Sequence, residues 1–397
     1  MPDVLDSRSS QRTWALALVA ANFVGFTLLL TAVPVVSSAR GLTGAMLGVV
    51  VAVVGGLGVI ADAPVGHAVA TWGLRPVVVL GGLVSAGACL AVAIVPGAAT
   101  VVIAAPVIGV ANALLVNPLL TALAASADEA AQVPTQLANA GVQRAGALVA
   151  AGAVSLLMTR NGGGGLFLVC AAVFVAIAAG AGRIGEIAGP VPPSVTTTYR
   201  HSFQVLVRSR EVQLAALMNV VITTFAVTGG SFVPLLMGAR GAAAWAVGAV
   251  LAAREVVAVL VAWRAMRRAT LDVSRFVGVA GTVGAVSLMA CWLSGQTWFL
   301  VGAFAAQGAA LCACIAATNV HTVRGTTPAD RLYGFAATSF TNRLAGMIVP
   351  LLLGTVLARV DAATAVLTGG AVALVGVLAY VLLARGATGD TLTRLPD

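Results

Sequence analysis

The chain has 397 residues, of which 60% are hydrophobic and 9% are charged, and its formal net charge is +9. Together with a mean hydropathy of +1.03, this composition excludes an ordinary soluble domain and predicts an integral membrane protein. The basic residues lie in short segments between long apolar runs, where they orient a membrane protein, so the charge does not indicate nucleic-acid binding.

Apolar runs of roughly 20 residues, the length that crosses the hydrocarbon core, predict twelve transmembrane helices. Six fall in the first half, at residues 13–36, 43–68, 76–96, 99–124, 133–157 and 165–182. Six more follow at 212–236, 243–263, 276–294, 298–321, 332–357 and 362–384. We therefore predict an all-α integral membrane protein with an N-terminal six-helix bundle (1–184), a cytoplasmic linker (185–211) and a C-terminal six-helix bundle with a short tail (212–397).

The arginines predict the orientation of these helices. With both termini in the cytoplasm, the inside segments contain Arg8, Arg12, Arg75, Arg183, Arg200, Arg208, Arg210, Arg264, Arg267, Arg268, Arg275, Arg324, Arg331, Arg385 and Arg394. The outside segments contain only Arg40, Arg160, Arg240 and Arg359. Such an excess of positive charge is typical of cytoplasmic loops. We predict a multi-pass protein of the inner (plasma) membrane with both termini cytoplasmic.

The two halves of the sequence repeat each other. With a shift of 200 residues, Thr31–Val36 (TAVPVV) aligns with Ser231–Leu236 (SFVPLL). One residue is then lost, and a shift of 199 places Arg144 opposite Arg343. Two six-helix halves in parallel repeat are typical of secondary transporters, whose binding site lies between the halves near the middle of the bilayer.

Charged residues are rare within the predicted helices. They are Asp62 in the second helix, Arg144 in the fifth, Arg254 and Glu255 in the eighth, and Arg343 in the eleventh. A charge at the centre of a bilayer costs roughly 2.5–3.5 kcal/mol or more, so each of these groups should have a partner or water. All five are therefore functional candidates.

This arrangement resembles the major facilitator superfamily over essentially the whole chain. The resemblance implies a central cavity lined by the first, fourth, seventh and tenth helices, with the second, fifth, eighth and eleventh beside it. The family's signature loop resembles Gly66–Pro76 (GHAVATWGLRP), which keeps Gly73 and Arg75 but lacks the usual acidic residue and first arginine. Gly73, Arg75 and Arg275, which the repeat places opposite Arg75, are the gating candidates.

A narrower resemblance points to the drug/proton antiporters. The patches AREVVAVLVAW, ANALLVNPLLTALA and GFAATSFTNRLAG look like the sugar efflux transporter branch, which has a glutamate midway along the eighth helix and an arginine in the fifth. Glu255 and Arg144 match those positions. The arginine and the Gly-Pro motif that drug/proton antiporters commonly contain are replaced here by Ala105 and by Gly146-Ala147.

Glu255 is the predicted proton carrier, and Asp62 is the second candidate. Glu255 lies about a dozen residues into its helix, hence near the middle of the membrane at about 1.5 Å per residue, where a carboxyl group can exchange protons. Alternatively, Arg254 neutralises it in a static pair, although helix neighbours project about 100° apart and a tight bridge between them is awkward. Asp62 is alternatively a gate residue that pairs with an arginine.

Arg144 and Arg343 cannot usefully titrate. They are predicted to bind an anionic or hydroxyl-rich substrate, to act as counterions of Glu255 and Asp62, or to brace the two halves. Three arginines against two acids leave one guanidinium unbalanced, which an anionic substrate or backbone carbonyl groups would satisfy.

Amide side chains supply further candidates for the cavity, although such groups also connect helices. They are Gln143, Asn342, Asn22, Asn112, Asn219 and Gln307. Gln136, Asn139 and Gln143 form one polar stripe at helical spacing. His67 and His321 lie near cytoplasmic helix ends, and we expect them to be solvated.

These features predict a proton-coupled exporter, or antiporter, of a small organic molecule such as a sugar, glycoside or drug-like compound. It would work by alternating access as a monomer, with substrate and lipid as its partners. The alternative is an organic-anion exchanger or importer that uses the arginine pair without moving protons. The five cysteines lie in apolar runs, and no residue grouping has the spacing of a metal or catalytic site, so we expect no enzyme, metal or cofactor.

Overall fold

The structure is a computed structural model, which describes residues 2–126, 132–157, 164–184, 195–266, 272–327 and 330–391. Within these ranges the chain is helical apart from short turns. Residues 185–194 of the predicted linker lie outside these ranges. So do four of the arginines used to predict the orientation in the membrane: Arg160, Arg267, Arg268 and Arg394.

The described part of the chain contains fifteen α-helices. In the first half they are α1 (Pro2–Ala39), α2 (Gly44–Gly56), α3 (Asp62–Trp72), α4 (Leu74–Ile94), α5 (Ala98–Ala125), α6 (Gln132–Leu157) and α7 (Gly164–Gly180). A short helix, α8 (Val195–Arg208), comes next. The second half contains α9 (Arg210–Val227), α10 (Val233–Ala239), α11 (Ala244–Met266), α12 (Val273–Ala290), α13 (Thr297–Arg324), α14 (Arg331–Arg359) and α15 (Ala362–Thr391).

Eleven helical segments in the described part of the chain are long and apolar enough to cross a membrane. They coincide with eleven predicted spans. The second predicted span, 43–68, is not continuous: α2 ends at Gly56, Leu57–Ile60 form a 3₁₀ turn, and α3 begins at Asp62.

The sequence of the second span explains this break. The stretch VVGGLGVIADAP contains three glycines, which weaken a helix. Pro64 has no N–H to donate to the carbonyl of Ile60, four residues earlier. A 3₁₀ turn advances about 120° per residue and an α-helix about 100°, so four residues rotate the face of α3 by about 80°. Asp62 therefore points in a direction that a continuous helix would not give it.

The helices alternate in direction, so the bundle has two distinct ends. We call the end that contains α8 the linker end and the opposite end the far end. At the linker end, Nε of Arg75 donates to the carbonyl of Ile184, 2.8 Å away. Also at this end, Nη2 of Arg210 donates to the carbonyl of Leu383, 2.7 Å away.

The repeat found in the sequence is also present in contacts at the far end. Nη2 of Arg40 donates to the carbonyl of Val92 at 2.7 Å. Nη1 of Arg240 donates to the carbonyl of Cys291 at 3.3 Å, and Cys291 is opposite Val92 under the shift of 199. The two halves therefore anchor their third and ninth spans in the same way.

Glycines bring the two halves into close contact at the far end. At Gly48 of α2, an added Cβ would lie 2.5 Å from the carbonyl oxygen of Pro350 and 2.8 Å from Cα of Gly354. The repeat-related contact is between Gly248 of α11 and Ser155 of α6, where an added Cβ would overlap the serine side chain. These two contacts close the space between the halves on opposite sides.

A hydrogen bond joins the first and seventh spans between these contacts. Oγ of Ser231 donates to the carbonyl of Leu30, 2.8 Å away. This carbonyl has no helical N–H partner because Pro34 stands four residues later. Among the described residues, the far end is therefore closed by close packing at Gly48 and Gly248 and by the hydrogen bond between Ser231 and Leu30.

Candidate functional site

A cavity of about 470 Å³ lies between the two halves and extends toward the linker end. It extends from Gly73, before α4, and Phe335, near the start of α14, to Leu30 and Gly230 beneath the far-end contacts. Its lining comes mainly from α1, α2, α3, α5, α6, α9, α11, α13 and α14.

Most of the predicted site residues face this cavity. Its lining includes Asn22, Asp62, Gly73, Asn112, Gln143, Arg144, Asn219, Arg254, Asn342 and Arg343. The lining does not include Glu255, Gln307, Arg75 or Arg275. The predicted proton carrier thus lies behind the cavity wall in this structure.

Glu255 lies between two arginines and is completely buried. Its Oε2 is 3.3 Å from Nη1 of Arg144, and its Oε1 is 2.6 Å from Nη2 and 2.7 Å from Nε of Arg254. The bridge between Arg254 and Glu255 therefore forms, although the sequence argument regarded it as awkward. Two guanidinium groups share one carboxylate, so this cluster has a net positive charge.

The arginine cluster also contains atoms without partners. Nε of Arg144 and Nη1 of Arg254 are buried and have no hydrogen-bond acceptor, and both amide atoms of Gln307 lack partners. The rings of Phe23 and Phe304 lie 5.8 Å and 5.9 Å from the guanidinium carbons of Arg144 and Arg254. Aromatic faces stabilise a cation, but they do not replace an acceptor for these N–H groups.

Asp62 forms the second ion pair between the halves. Its Oδ1 accepts from Nε of Arg343 and from Nδ2 of Asn117, both at 2.8 Å. Oγ of Ser339 donates to Oδ1 of Asn117 at 3.1 Å. Asp62 and Arg343 face the cavity, so a bound molecule or water can reach this pair, whereas Glu255 is enclosed.

Neither hydropathy nor charge marks Ser339 as a site residue. Ser339 lies one helical turn before Arg343, and this spacing indicates that the two side chains share one face of the helix. Asn117 is one of two amides in α5, with Asn112. Its contact with Asp62 depends on the rotation produced by the 3₁₀ turn. Hydropathy alone does not reveal that rotation.

The predicted polar stripe on α6 forms a chain of amide hydrogen bonds. Nε2 of Gln143 donates to Oδ1 of Asn139 at 3.1 Å, and Nδ2 of Asn139 donates to Oε1 of Gln136 at 3.3 Å. Across the cavity, Nδ2 of Asn219 donates to the carbonyl of Thr338 at 2.7 Å, while the hydroxyl of Thr223 donates to Oδ1 of Asn342. Asn219 and Asn342 therefore connect α9 to α14 as well as face the cavity, whereas the three amides of α6 bond to one another within that helix.

The gating candidates lie at the linker end without forming one cluster. Gly73 has φ +89°, a conformation that favours glycine. Arg75 reaches the carbonyl of Ile184, as described above. The backbone N–H of Arg275 donates to Oδ1 of Asp272 at 3.0 Å, which caps the start of α12.

The expectation that His321 is solvated is wrong. Its exposure is 4%, and its Nδ1 lies 2.6 Å from Oε2 of Glu211, while its Nε2 lies 2.7 Å from the hydroxyl oxygen of Tyr380. These contacts join α13 to α9 and α15, away from the cavity. Position near a helix end suggested solvent, but neighbouring helices cover this ring.

The described residues contain no group of three or more His, Cys, Asp and Glu that could hold a metal ion. No protein-family model matches the sequence, and no curated protein matches it. Solved structures, in contrast, match nearly the whole chain.

Three transporter structures superpose on the chain at low sequence identity. The human organic anion transporter MFSD10 (TETRAN) has a TM-score of 0.71 and 13% identity, covering 94% of this chain and 99% of its own. A mutant of the nucleoside transporter NupG has a TM-score of 0.69 and 14% identity, with coverages of 94% and 99%. A POT family transporter in complex with 5-aminolevulinic acid has a TM-score of 0.70 and 13% identity, with coverages of 95% and 96%.

The chain has the major facilitator fold. The predicted fold class is therefore confirmed. At these identities the likeness concerns the fold, and the narrower resemblance to drug/proton antiporters and sugar efflux transporters stays a prediction.

Proposed function

We propose that this chain is a secondary active transporter that moves a small organic anion by alternating access. The observation that supports the anion most directly is the arginine cluster. Arg144 and Arg254 line the cavity, share the single carboxylate of Glu255, and each retain a buried N–H group without an acceptor. A buried positive charge is costly unless it is paired, so this site favours a negatively charged ligand.

In the proposed cycle, the substrate enters from the linker end and competes with Glu255 for the guanidinium groups. Arg144 belongs to the first half and Glu255 to the second, so this competition weakens a contact that holds the halves together. Relief of the far-end contacts at Gly48 and Gly248 then opens the opposite side. The organic anion transporter MFSD10, which shares this fold at 13% identity, is an analogy for this proposal.

Charge-matched ligands test the proposal directly. Purified protein in proteoliposomes would be offered small carboxylates, each paired with its neutral amide, such as benzoate with benzamide. We expect uptake of carboxylates only, and its loss in Arg254→Gln but not in Arg264→Gln, a variant of an exposed arginine on the same helix. Equal uptake of acid and amide across the panel would rule out the anion proposal.

Proton-coupled efflux of a neutral molecule is the second candidate, and the position of Asp62 favours it. Asp62 faces the cavity and could exchange a proton through it, whereas Glu255 is enclosed by two arginines. In this version the chain lies in the plasma membrane with its linker end in the cytoplasm. A pH gradient should then drive transport in wild-type protein and in Glu255→Gln, but not in Asp62→Asn.

A further inference from the structure

In two membrane spans that face the cavity the regular α-helical hydrogen bonding is broken, and a proline follows each break. In the second span, Leu57–Ile60 form a 3₁₀ turn, and Pro64 removes the N–H that would bond to Ile60. In the seventh, Thr228–Phe232 form a π-helical turn, and Pro234 removes the N–H that would bond to Gly230. Such turns are frequent at functional sites.

Proline alone does not produce these breaks. Pro34 is opposite Pro234 in the repeat, yet α1 continues through Pro34 as an α-helix. The two broken turns contain glycine, whereas residues 28–32 of α1, the turn before Pro34, do not. Two of these glycines touch arginine side chains. We call Gly58 and Gly229 the seat glycines.

Each seat glycine lies against a cavity arginine that belongs to another helix. An added Cβ at Gly58 would overlap Nη1 of Arg343, and an added Cβ at Gly229 would lie 2.8 Å from Nη1 of Arg254. At Gly229 the next nearest atoms are the amide oxygen and nitrogen of Gln307, at 3.1 Å and 3.3 Å. Both arginine contacts are too short for an ordinary methyl contact, so a side chain at either position would displace the guanidinium.

The repeat shows that the seats are not a general requirement of the fold. Ala258 stands opposite Gly58, and Leu29 stands opposite Gly229, when the halves are aligned with a shift of 200. Both are buried residues with a Cβ. At these two aligned pairs of positions, glycine stands in the half where an arginine lies against the turn, and the other half has a side chain.

We propose that Gly58 and Gly229 are positioning residues, and that the two helix breaks fix the guanidinium groups of Arg343 and Arg254 in the cavity wall. Gly58 holds Arg343 where its Nε meets Asp62, and Gly229 holds Arg254 where its Nε and Nη2 meet Glu255. This placement of the arginines does not depend on whether the transported molecule is an anion or neutral.

A double-mutant cycle in the full chain, purified in detergent micelles, tests the seat at Gly229. Gly229→Ala should lower the midpoint of thermal unfolding by about 2–4 °C or more. Gly230→Ala is the matched control in the same turn, because its added Cβ would meet only Cβ of Leu30 at 3.7 Å. Arg254→Lys removes the broad guanidinium and leaves a charge that can reach Glu255.

We expect Gly229→Ala to cost little in the Arg254→Lys background, so that the two changes are not additive. The stability losses of Gly229→Ala and Arg144→Lys should remain additive, because no atom of Arg144 is among the three nearest to an added Cβ at Gly229. If Gly229→Ala fails to fold alone, its folding in the Arg254→Lys background still supports the seat. An equal loss in both backgrounds, or a loss no larger than that of Gly230→Ala, overturns it.

In the corresponding double-mutant cycle at Gly58, we expect a smaller recovery of thermal stability. Here an added Cβ would also lie 2.8 Å from the carbonyl oxygen of Gly109, which cannot move as a side chain can. Arg343→Lys should therefore recover only part of the loss caused by Gly58→Ala. Gly66→Ala, with no atom within 4 Å of its added Cβ, is the control, and the absence of any recovery would overturn the proposal for Arg343.

Discussion

Arg144 and Glu255 form an ion pair across the two halves of the molecule, with Nη1 of the arginine 3.3 Å from Oε2 of the glutamate. The repeat-related Arg343 forms the other pair across the halves, with Asp62. The arginines are related by the repeat, but the acids are not, because Gly55 stands opposite Glu255. One pair is enclosed and the other faces the cavity, so the two should respond differently to substitution.

Glu255→Gln should destabilise the protein by about 3–5 kcal/mol, since it leaves two buried guanidinium groups without a countercharge. The midpoint of thermal unfolding in detergent measures this loss. Glu255→Gln combined with Arg254→Gln restores the original charge balance and should recover part of the stability. A single variant as stable as wild-type protein would show that Glu255 is not the countercharge of this cluster.

The sequence alone predicts the helical class, the repeat and the alignment of Arg144 with Arg343 in that repeat. These features depend on hydropathy and spacing, which act locally along the chain. It also suggests ion pairs with Glu255 and Asp62 as one of several possibilities, and both pairs are formed in the structure. Charge is the only property needed for that suggestion, because so few charged residues occur in the spans.

The direction of individual side chains is harder to predict from sequence. Asp62 reaches Arg343 after a 3₁₀ turn that rotates α3, and an apolar pattern does not distinguish that turn from a continuous helix. Gln307 is buried behind the cavity wall, although its span faces the cavity. His321 is covered by α9 and α15, which only the packing of distant segments can show.

Gly48→Ala should favour an open far end. Its added methyl would lie 2.5 Å from the carbonyl oxygen of Pro350, and overpacking of this kind costs about 1–3 kcal/mol in the closed arrangement. The measurement is labelling of Thr27→Cys from the far side by a membrane-impermeant thiol reagent, because the five native cysteines are buried. Gly87→Ala, which has no neighbour within 4 Å of its added Cβ, should leave labelling unchanged, and equal labelling of both variants would contradict the prediction.

Asp330 should anchor α8 in a manner that depends on pH. Hydrogen bonds from His201 and then Thr327 hold the pKa of Asp330 below its ordinary value of 3.8. A carboxyl group whose pKa is lowered by folding stabilises the fold above its ordinary pKa, and this contribution is lost as pH falls through the folded value. We therefore expect α8 to remain in place at about pH 5 and to loosen below about pH 3.8.

The mobility of a spin label at Phe203→Cys, an exposed position of α8, reports this change. Asp330→Asn should raise the mobility at pH 5 and remove its dependence on acid. Asp272→Asn changes an acidic residue that caps α12 instead, so it should leave the α8 signal and its acid response intact. The same acid response in Asp330→Asn as in wild-type protein would exclude Asp330 as the titrating anchor.

Ser231→Ala should open the far end by removing the hydrogen bond to the carbonyl of Leu30. The carbonyl would then lack a partner in the closed arrangement, since Pro34 supplies no N–H. A hydrogen bond of this kind is worth about 1 kcal/mol, which corresponds to roughly a fivefold change in the ratio of open to closed protein. Labelling of Thr27→Cys from the far side should increase by that factor.

Ser287→Ala removes a serine hydroxyl that bonds within its own helix and should not change labelling. If Ser231→Ala labels no faster than this control, the hydrogen bond does not hold the far end closed, and the glycine contacts at Gly48 and Gly248 are sufficient to do so.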